Sequence, residues 1–366
     1  MRRAVIGILL AVAVCACAAD PPTPEECAAA AAEIGGFLEK RMTDPATGAV
    51  FVNAVEDRPA VAGEARNRDA LSEAVGQMME LALLRGDREM FARQFALARE
   101  KFQAEPGGFL AWKIALDPLR RASTSATLDD WRVAWACRAA SRRWDWPEAD
   151  ELGVALVKAI SRGTEREKIP PPAFNLPDGS PGAGAVPLCY LHLPAMKDFA
   201  ADVPGAGEML AQSLAVLRGI ASAPGMVPAK WDPATRKYSR GLADEVLALI
   251  TLLHMQAAEP DAARLREAVD VRLRYFRERG RLPQAFDSET GEALGEPAGA
   301  AVYALWARLL LARGLREEAG EAVKLMLSFQ NPPGADFAGA IGGYPVFSFD
   351  QIEALLALES YRPASP

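Results

Sequence analysis

An all-helical fold is predicted for this chain by three features of its sequence. Apolar residues recur at helical spacing along most of the 366 residues, strand-type alternation is scarce, and loops rich in proline and glycine punctuate the pattern. The spacing predicts about twelve helices, near 25–42, 69–85, 87–103, 127–143, 147–162, 189–201, 205–222, 240–257, 259–279, 297–313, 315–330 and 348–362. Loops such as Pro170-Pro171-Pro172 and Pro177-Asp178-Gly179-Ser180-Pro181-Gly182 interrupt them, because proline lacks the amide donor and glycine favours other conformations. No stretch is long or biased enough to serve as a linker, so residues 20–366 are expected to form one domain.

Ahead of that domain, Met1-Arg2-Arg3 and the apolar run Ala4 to Ala16 have the basic start and short hydrophobic stretch of an export leader, expected over residues 1–19. Two outcomes stay open. Cleavage after Ala18 or Ala19 would release a soluble protein, whereas Val14-Cys15-Ala16-Cys17 also resembles a bacterial lipoprotein signal with Cys17 as the lipidated residue. Either way the protein is expected to be exported: periplasmic, secreted or lipid-anchored at the cell envelope.

Half of the residues are hydrophobic and 24% are charged, enough to bury a large core. The net charge of −7 supplies no basic surplus for a phosphate backbone, so nucleic acid is not an expected partner. Beyond the leader, Cys27, Cys137 and Cys189 lack CxxC spacing, and His192 and His254 lack the HExxH arrangement. No metal site is expected from these residues, and each histidine reads as an ordinary helix residue. Seven tryptophans stand out among few aromatics, since the flat apolar face of an indole can stack on a sugar ring.

Helices paired by short loops fit either an open helical-repeat solenoid or a closed ring of helical hairpins, the (α/α)6 barrel. No fixed-period repeat is visible, and the loops differ widely in length, which counts against a regular solenoid.

Several collinear segments carry a more specific signal. Leu71-Ser72-Glu73-Ala74-Val75-Gly76-Gln77-Met78-Met79 is followed by Gly107-Gly108-Phe109-Leu110-Ala111-Trp112 and by Ala126-Thr127-Leu128-Asp129-Asp130-Trp131-Arg132-Val133-Ala134-Trp135-Ala136. Further on come Val186-Pro187-Leu188-Cys189-Tyr190, Met226-Val227-Pro228-Ala229-Lys230-Trp231, Gly241-Leu242-Ala243-Asp244-Glu245-Val246 and Asp287-Ser288-Glu289-Thr290-Gly291-Glu292-Ala293. In order and approximate spacing these blocks resemble glycoside hydrolase family 8, the inverting endo-β-glucanases, and the last is similar to the cellulose-synthesis-associated endoglucanases.

The resemblance implies an (α/α)6 barrel, an endo-acting β-1,4-glucan hydrolase, a β-glucan polysaccharide as substrate and no cofactor. It places Glu73 on the family's general acid, Asp244 on a position that serves as base in one large subfamily, and Asp130 on an acidic residue of the segment that supports the sugar at the cleavage point. Tyr190 falls on a family tyrosine. Trp112 and Trp231 are candidate sugar platforms, and for both core packing is the equally plain alternative. Glu73 and Asp244 each fall near a helix start, where acids are common without any catalytic role.

The chain also departs from the family pattern. Ala74, Val75 and Gln77 replace Gly, Gln and Tyr of the first block, Leu128 replaces an Asp, and Ala243 replaces the Tyr before the base position. These changes support a second expectation, a relative that keeps a glycan-binding groove of the cell envelope without the chemistry. A third is a helical-repeat interaction protein, which an open superhelix would favour.

Overall fold

The computed structural model describes residues 20–55, 65, 68–104, 108–164 and 168–362. The expected leader, with Cys17, lies outside these residues. Among them are twelve α-helices: α1 (Pro24–Met42), α2 (Ser72–Arg85), α3 (Arg88–Leu97), α4 (Thr127–Trp144), α5 (Pro147–Gly163), α6 (Leu193–Phe199), α7 (Ala206–Arg218), α8 (Glu245–Ala258), α9 (Ala263–Arg279), α10 (Ala300–Ala312), α11 (Arg316–Leu327) and α12 (Ser348–Tyr361).

The even-numbered helices form a closed ring. Helix α2 packs on α4, α4 on α6, α6 on α8, α8 on α10, α10 on α12, and α12 returns to α2. The odd-numbered helices lie outside, with α3, α5, α7, α9 and α11 each against the preceding or following inner helix and α1 against α12. This is the (α/α)6 barrel, and its closure rules out the open superhelix.

Composition explains which helices go inside. Inner helices meet protein on nearly every side, so α10 buries every residue from Ala300 to Ala307 and α12 every residue from Gln351 to Leu358. Outer helices bury one stripe; in α5 it is Ala149, Leu152, Gly153, Leu156, Val157 and Ile160, with charged residues turned to solvent. Local signals set the ends. Thr23 and Glu26 form a reciprocal cap on α1, Gly86 closes α2 at φ 70°, and Asp87 caps α3 by accepting from the Met90 amide. Asp145, at φ 50°, turns the chain between α4 and α5, and the flanking Trp144 and Trp146 pack edge-on against Phe91.

The expected helices differ from the observed ones chiefly at their starts. The stretch predicted over 189–201 is a short turn at Leu188–Tyr190 followed by α6, which begins at Leu193 because His192 caps it and Pro194 sits in its first turn. The one predicted over 87–103 ends as α at Leu97 and finishes in a wide π turn, Ala98–Phe102.

Three small antiparallel sheets were not foreseen. They are β1 (Ala70–Leu71), β2 (Lys113–Leu116) and β3 (Leu119–Arg121); β4 (Val186–Pro187), β5 (Lys230–Asp232) and β6 (Lys237–Tyr238); and β7 (Leu242–Asp244), β8 (Pro283–Asp287) and β9 (Ala293–Pro297). Strands this short show no alternation to read, yet β1, β4 and β7 each lead the chain toward an inner position of the ring. Cys27, Cys137 and Cys189 are buried and unpaired.

A fully buried ion pair fastens the third sheet's end of the barrel. Arg272 on α9 donates to both carboxylate oxygens of Glu245 at 2.8 and 2.6 Å, and to the Gly225 carbonyl at 2.9 Å. Such a pair adds little over an apolar substitute, but leaving one partner alone is costly. Arg272→Met is expected to lower the unfolding free energy by about 3–5 kcal/mol in urea titrations, and adding Glu245→Leu to restore most of it.

Candidate active site

The inner helices bring carboxylates to one mouth of the barrel at their N-terminal ends. Glu73 lies in the first turn of α2, Asp129 in that of α4 and Asp350 in that of α12, while Asp244 is the N-cap of α8. The positive end of each helix dipole favours negative charge there.

Helix α2 has no side-chain cap of its own, because Leu71 stands at the N-cap. Asp129 supplies one from the neighbouring helix. Its Oδ2 accepts from the Ser72 hydroxyl at 2.6 Å, and its carboxylate also accepts from the Glu73 backbone amide. The same contact sets the two acids side by side.

Their protons are held unequally. Burial, and then the negative charge of Asp129, push the Glu73 carboxyl up to about 7. Asp129 is raised by burial to only about 6, because the Ser72 hydroxyl, the Arg132 guanidinium and the Glu73 amide all favour its charged form. These hydrogen bonds favour ionised Asp129, and burial beside that carboxylate favours the protonated form of Glu73. The Glu73 side chain remains partly exposed, so a ligand in the mouth can reach it.

Arg132 reaches this pair by crossing α2 at Gly76. A Cβ on residue 76 would lie 2.9 Å from Cγ and Cδ of Arg132, so only glycine lets the arginine stem pass. Asp244 is fixed from both sides, by pairing with Ala285 in β8 and by accepting from the Leu247 amide at 3.1 Å. Burial above all raises the Cys189 thiol, and the charges of Glu73 and Asp244 both add to it.

Tyr190 follows that cysteine. Its phenol is pushed up by burial and then by the charges of Asp129 and Glu73, the two acids at the mouth. Trp112 is also there and partly exposed: its carbonyl accepts from the Ser72 amide at 3.1 Å, directly before Glu73.

Two expected site residues lie elsewhere. Asp130 is fully buried, with Oδ1 accepting from the Leu110 amide at 2.9 Å. It anchors the segment that carries Trp112, and Asp129 is the acid of this pair that faces Glu73. Trp231 is 8% exposed, clamped in β5 between Val186 and Tyr238, and packs in the core with too little free surface for a sugar ring.

The sequence reading also passed over Asp350, which burial and the nearby Glu353 push up to about 6. The rotation of α4 is what selects Asp129. Adjacent helix residues point about 100° apart, and Asp129 shares its face with the axis-lining Arg132, whereas Asp130 shares the face of Val133, Ala134 and Cys137 that is buried against the rest of the core.

No family model matches the sequence, and no curated protein matches it. Solved structures do. An α-amylase from Clostridium perfringens superposes with a TM-score of 0.82 at 20% identity, covering 91% of this chain and 98% of that one. PssZ from Listeria monocytogenes gives 0.69 at 15% identity over 93% and 97%. The endoglucanase Cel10 from Klebsiella pneumoniae, a family 8 glycosyl hydrolase, gives 0.64 at 18% identity over 90% and 100%. Over nearly its whole described length, then, this chain has the (α/α)6 fold found in a family 8 glycosyl hydrolase.

Proposed function

We propose that the chain is a divergent family 8 glycoside hydrolase that cleaves within a neutral glucan and inverts the configuration at the broken bond. The observation that carries this reading is Glu73, a partly exposed carboxyl that stays protonated near neutrality because it is sunk beside ionised Asp129. That is the state a general acid needs. The fold likeness to endoglucanases and the collinear motifs support the substrate class.

In this reading Glu73 gives its proton to the glycosidic oxygen as the bond to the anomeric carbon breaks. Asp244 takes a proton from a water that attacks the opposite face of the sugar, and both carboxyls recover their starting states by exchange with solvent. Asp129 holds the sugar at the cleavage point and keeps Glu73 protonated, the part the sequence had offered to Asp130. Trp112 and Tyr190 supply flat surfaces to neighbouring sugar rings. No step requires a cofactor.

The linkage is proposed as β-1,4, on the motif resemblance. An α-1,4-glucan is the second reading, favoured by the TM-score of 0.82 to an α-amylase. Export, with or without lipidation at Cys17, remains part of the proposal and is supported by Arg2, Arg3 and the apolar run that follows.

Release of reducing ends by the purified chain should be measured on carboxymethyl cellulose, soluble β-glucan and soluble starch. Activity on one of them is expected, lowered about 10²- to 10⁴-fold by Glu73→Gln. Binding without release in the unmodified chain would instead support a glycan-binding relative, to which Leu128 and Ala243 point.

A pH profile adds a second check. Activity should fall as pH rises through about 7, where Glu73 loses its proton. Asp129→Asn removes the neighbouring negative charge, makes ionised Glu73 easier to form, and should move that limb to lower pH as well as reduce the rate.

A further inference from the structure

Below the carboxylates the barrel axis is hollow. A cavity of about 340 Å³ runs from Arg132 and Glu353, about one turn below the carboxylates, to the C-terminal ends of α8 and α10, and all six inner helices contribute to its wall. Glu80 is seven residues beyond Glu73 on α2, and His254 ten beyond Asp244 on α8, so the chamber's floor is roughly 10–15 Å from the mouth. It opens to solvent at the far end, where Ala257 and Ala312 are exposed.

One wall is aromatic. Trp135, partly exposed, stands next to His192 at 6.2 Å between ring centroids, and His192 lies 4.4 Å from His254. Burial holds both imidazoles neutral, pushing His192 down to about 3 and His254 well below its usual value. The Nδ1 of His192 accepts from the Ala195 amide at 3.1 Å, which assigns its proton to Nε2.

Two buried polar atoms in the lining have no partner. They are Nη1 of Arg132, 5% exposed, and Nδ1 of His254, 8% exposed. His254 donates its ring proton to the Leu191 carbonyl, so the orphaned nitrogen is a bare acceptor. The orphaned arginine nitrogen is a donor. Buried polar groups are nearly always paired, so a ligand that offers an acceptor and a donor together suits this wall.

An anion would answer only the arginine. It would also meet Glu80 and Glu353, whose charges already share Arg308. A hydrocarbon would answer neither orphan. Hydroxyl groups both donate and accept, and a pyranose has a flat C–H face for the indole of Trp135. The volume sits at the lower end of the range for small-molecule sites.

We propose that this chamber binds one neutral sugar, on the barrel axis below the carboxylates. The sugar's ring lies on Trp135 and its hydroxyls bridge Arg132 and His254. The site lies below the reaction at the mouth and shares Arg132 with it, since the same guanidinium acts on Asp129.

Calorimetric titration of D-glucose into the full chain carrying Glu73→Gln tests this. One site per chain is expected, weakened about tenfold or more by Trp135→Ala. It should be abolished by Ala257→Phe, which fills the chamber from an exposed position, and left unchanged by Trp112→Ala. Thermal melting of each variant confirms folding, and difference density for glucose against Trp135 in a crystal provides a second readout if one variant fails to fold. Several results would overturn the proposal: no glucose bound, binding lost with Trp112→Ala but kept with Ala257→Phe, or acetate bound in place of sugar. None of them bears on hydrolysis of the polymer, which the reducing-end assay reads separately.

Discussion

The barrel depends on one seam, where the last inner helix meets the first. Helices α2 and α12 are brought together across 276 residues by the Gln77 amide, which donates to Glu353 at 2.7 Å. Arg308 on α10 pairs with the other oxygen of Glu353 at 2.7 Å and with Glu80 on α2, so three inner helices share one buried polar knot. Charges this deep are costly unless each finds its partner, and the partners here exist only when the ring is closed. The knot therefore selects the closed arrangement over looser packings of the same apolar helices.

Closure is also what makes the mouth. Six long connections, each from an outer helix to the next inner one, deliver helix N-termini to one end, and the amides there need acceptors. Asp244 answers for its own helix, while Asp129 answers for α2 and so comes to rest against Glu73. The helix dipole favours ionisation of both acids at the start of α2, yet burial opposes it. The outcome is divided because the hydrogen bonds go to only one of them. Asp129 takes the Ser72 hydroxyl and the Glu73 amide, and Glu73 is left with the cost of desolvation and a negative neighbour.

Much of this could be read from the chain, for reasons that differ by element. Helices such as α5, α10 and α12 were visible because a stripe or a continuous apolar run has the helical period, and their ends carry proline, glycine or a capping acid. Helix α6 was overextended because apolar residues continue on both sides of it, and only Pro194 marks where it begins. That Glu73 falls near a helix start was legible from the spacing around it. The choice between Asp129 and Asp130 turned on helix rotation, which neighbouring acids in a sequence do not announce. Trp231 looked available because the two-residue and three-residue strands that enclose it leave no periodic trace. The axial chamber could not be seen at all: its wall joins residues scattered over six helices between Glu80 and Glu353.

The same seam imposes an order on biosynthesis. Helix α2 leaves the ribosome early, and its axial partner α12 is made after the other eleven helices. Until then Gln77 has no acceptor, and the buried flanks of α2 and α10 that α12 will cover face water. A nascent chain of this kind is a natural client for holdase chaperones, and one terminated before residue 348 is left with an open ring and a permanent apolar edge. Quality control can thus recognise an incomplete copy by its unclosed barrel before any question of activity arises.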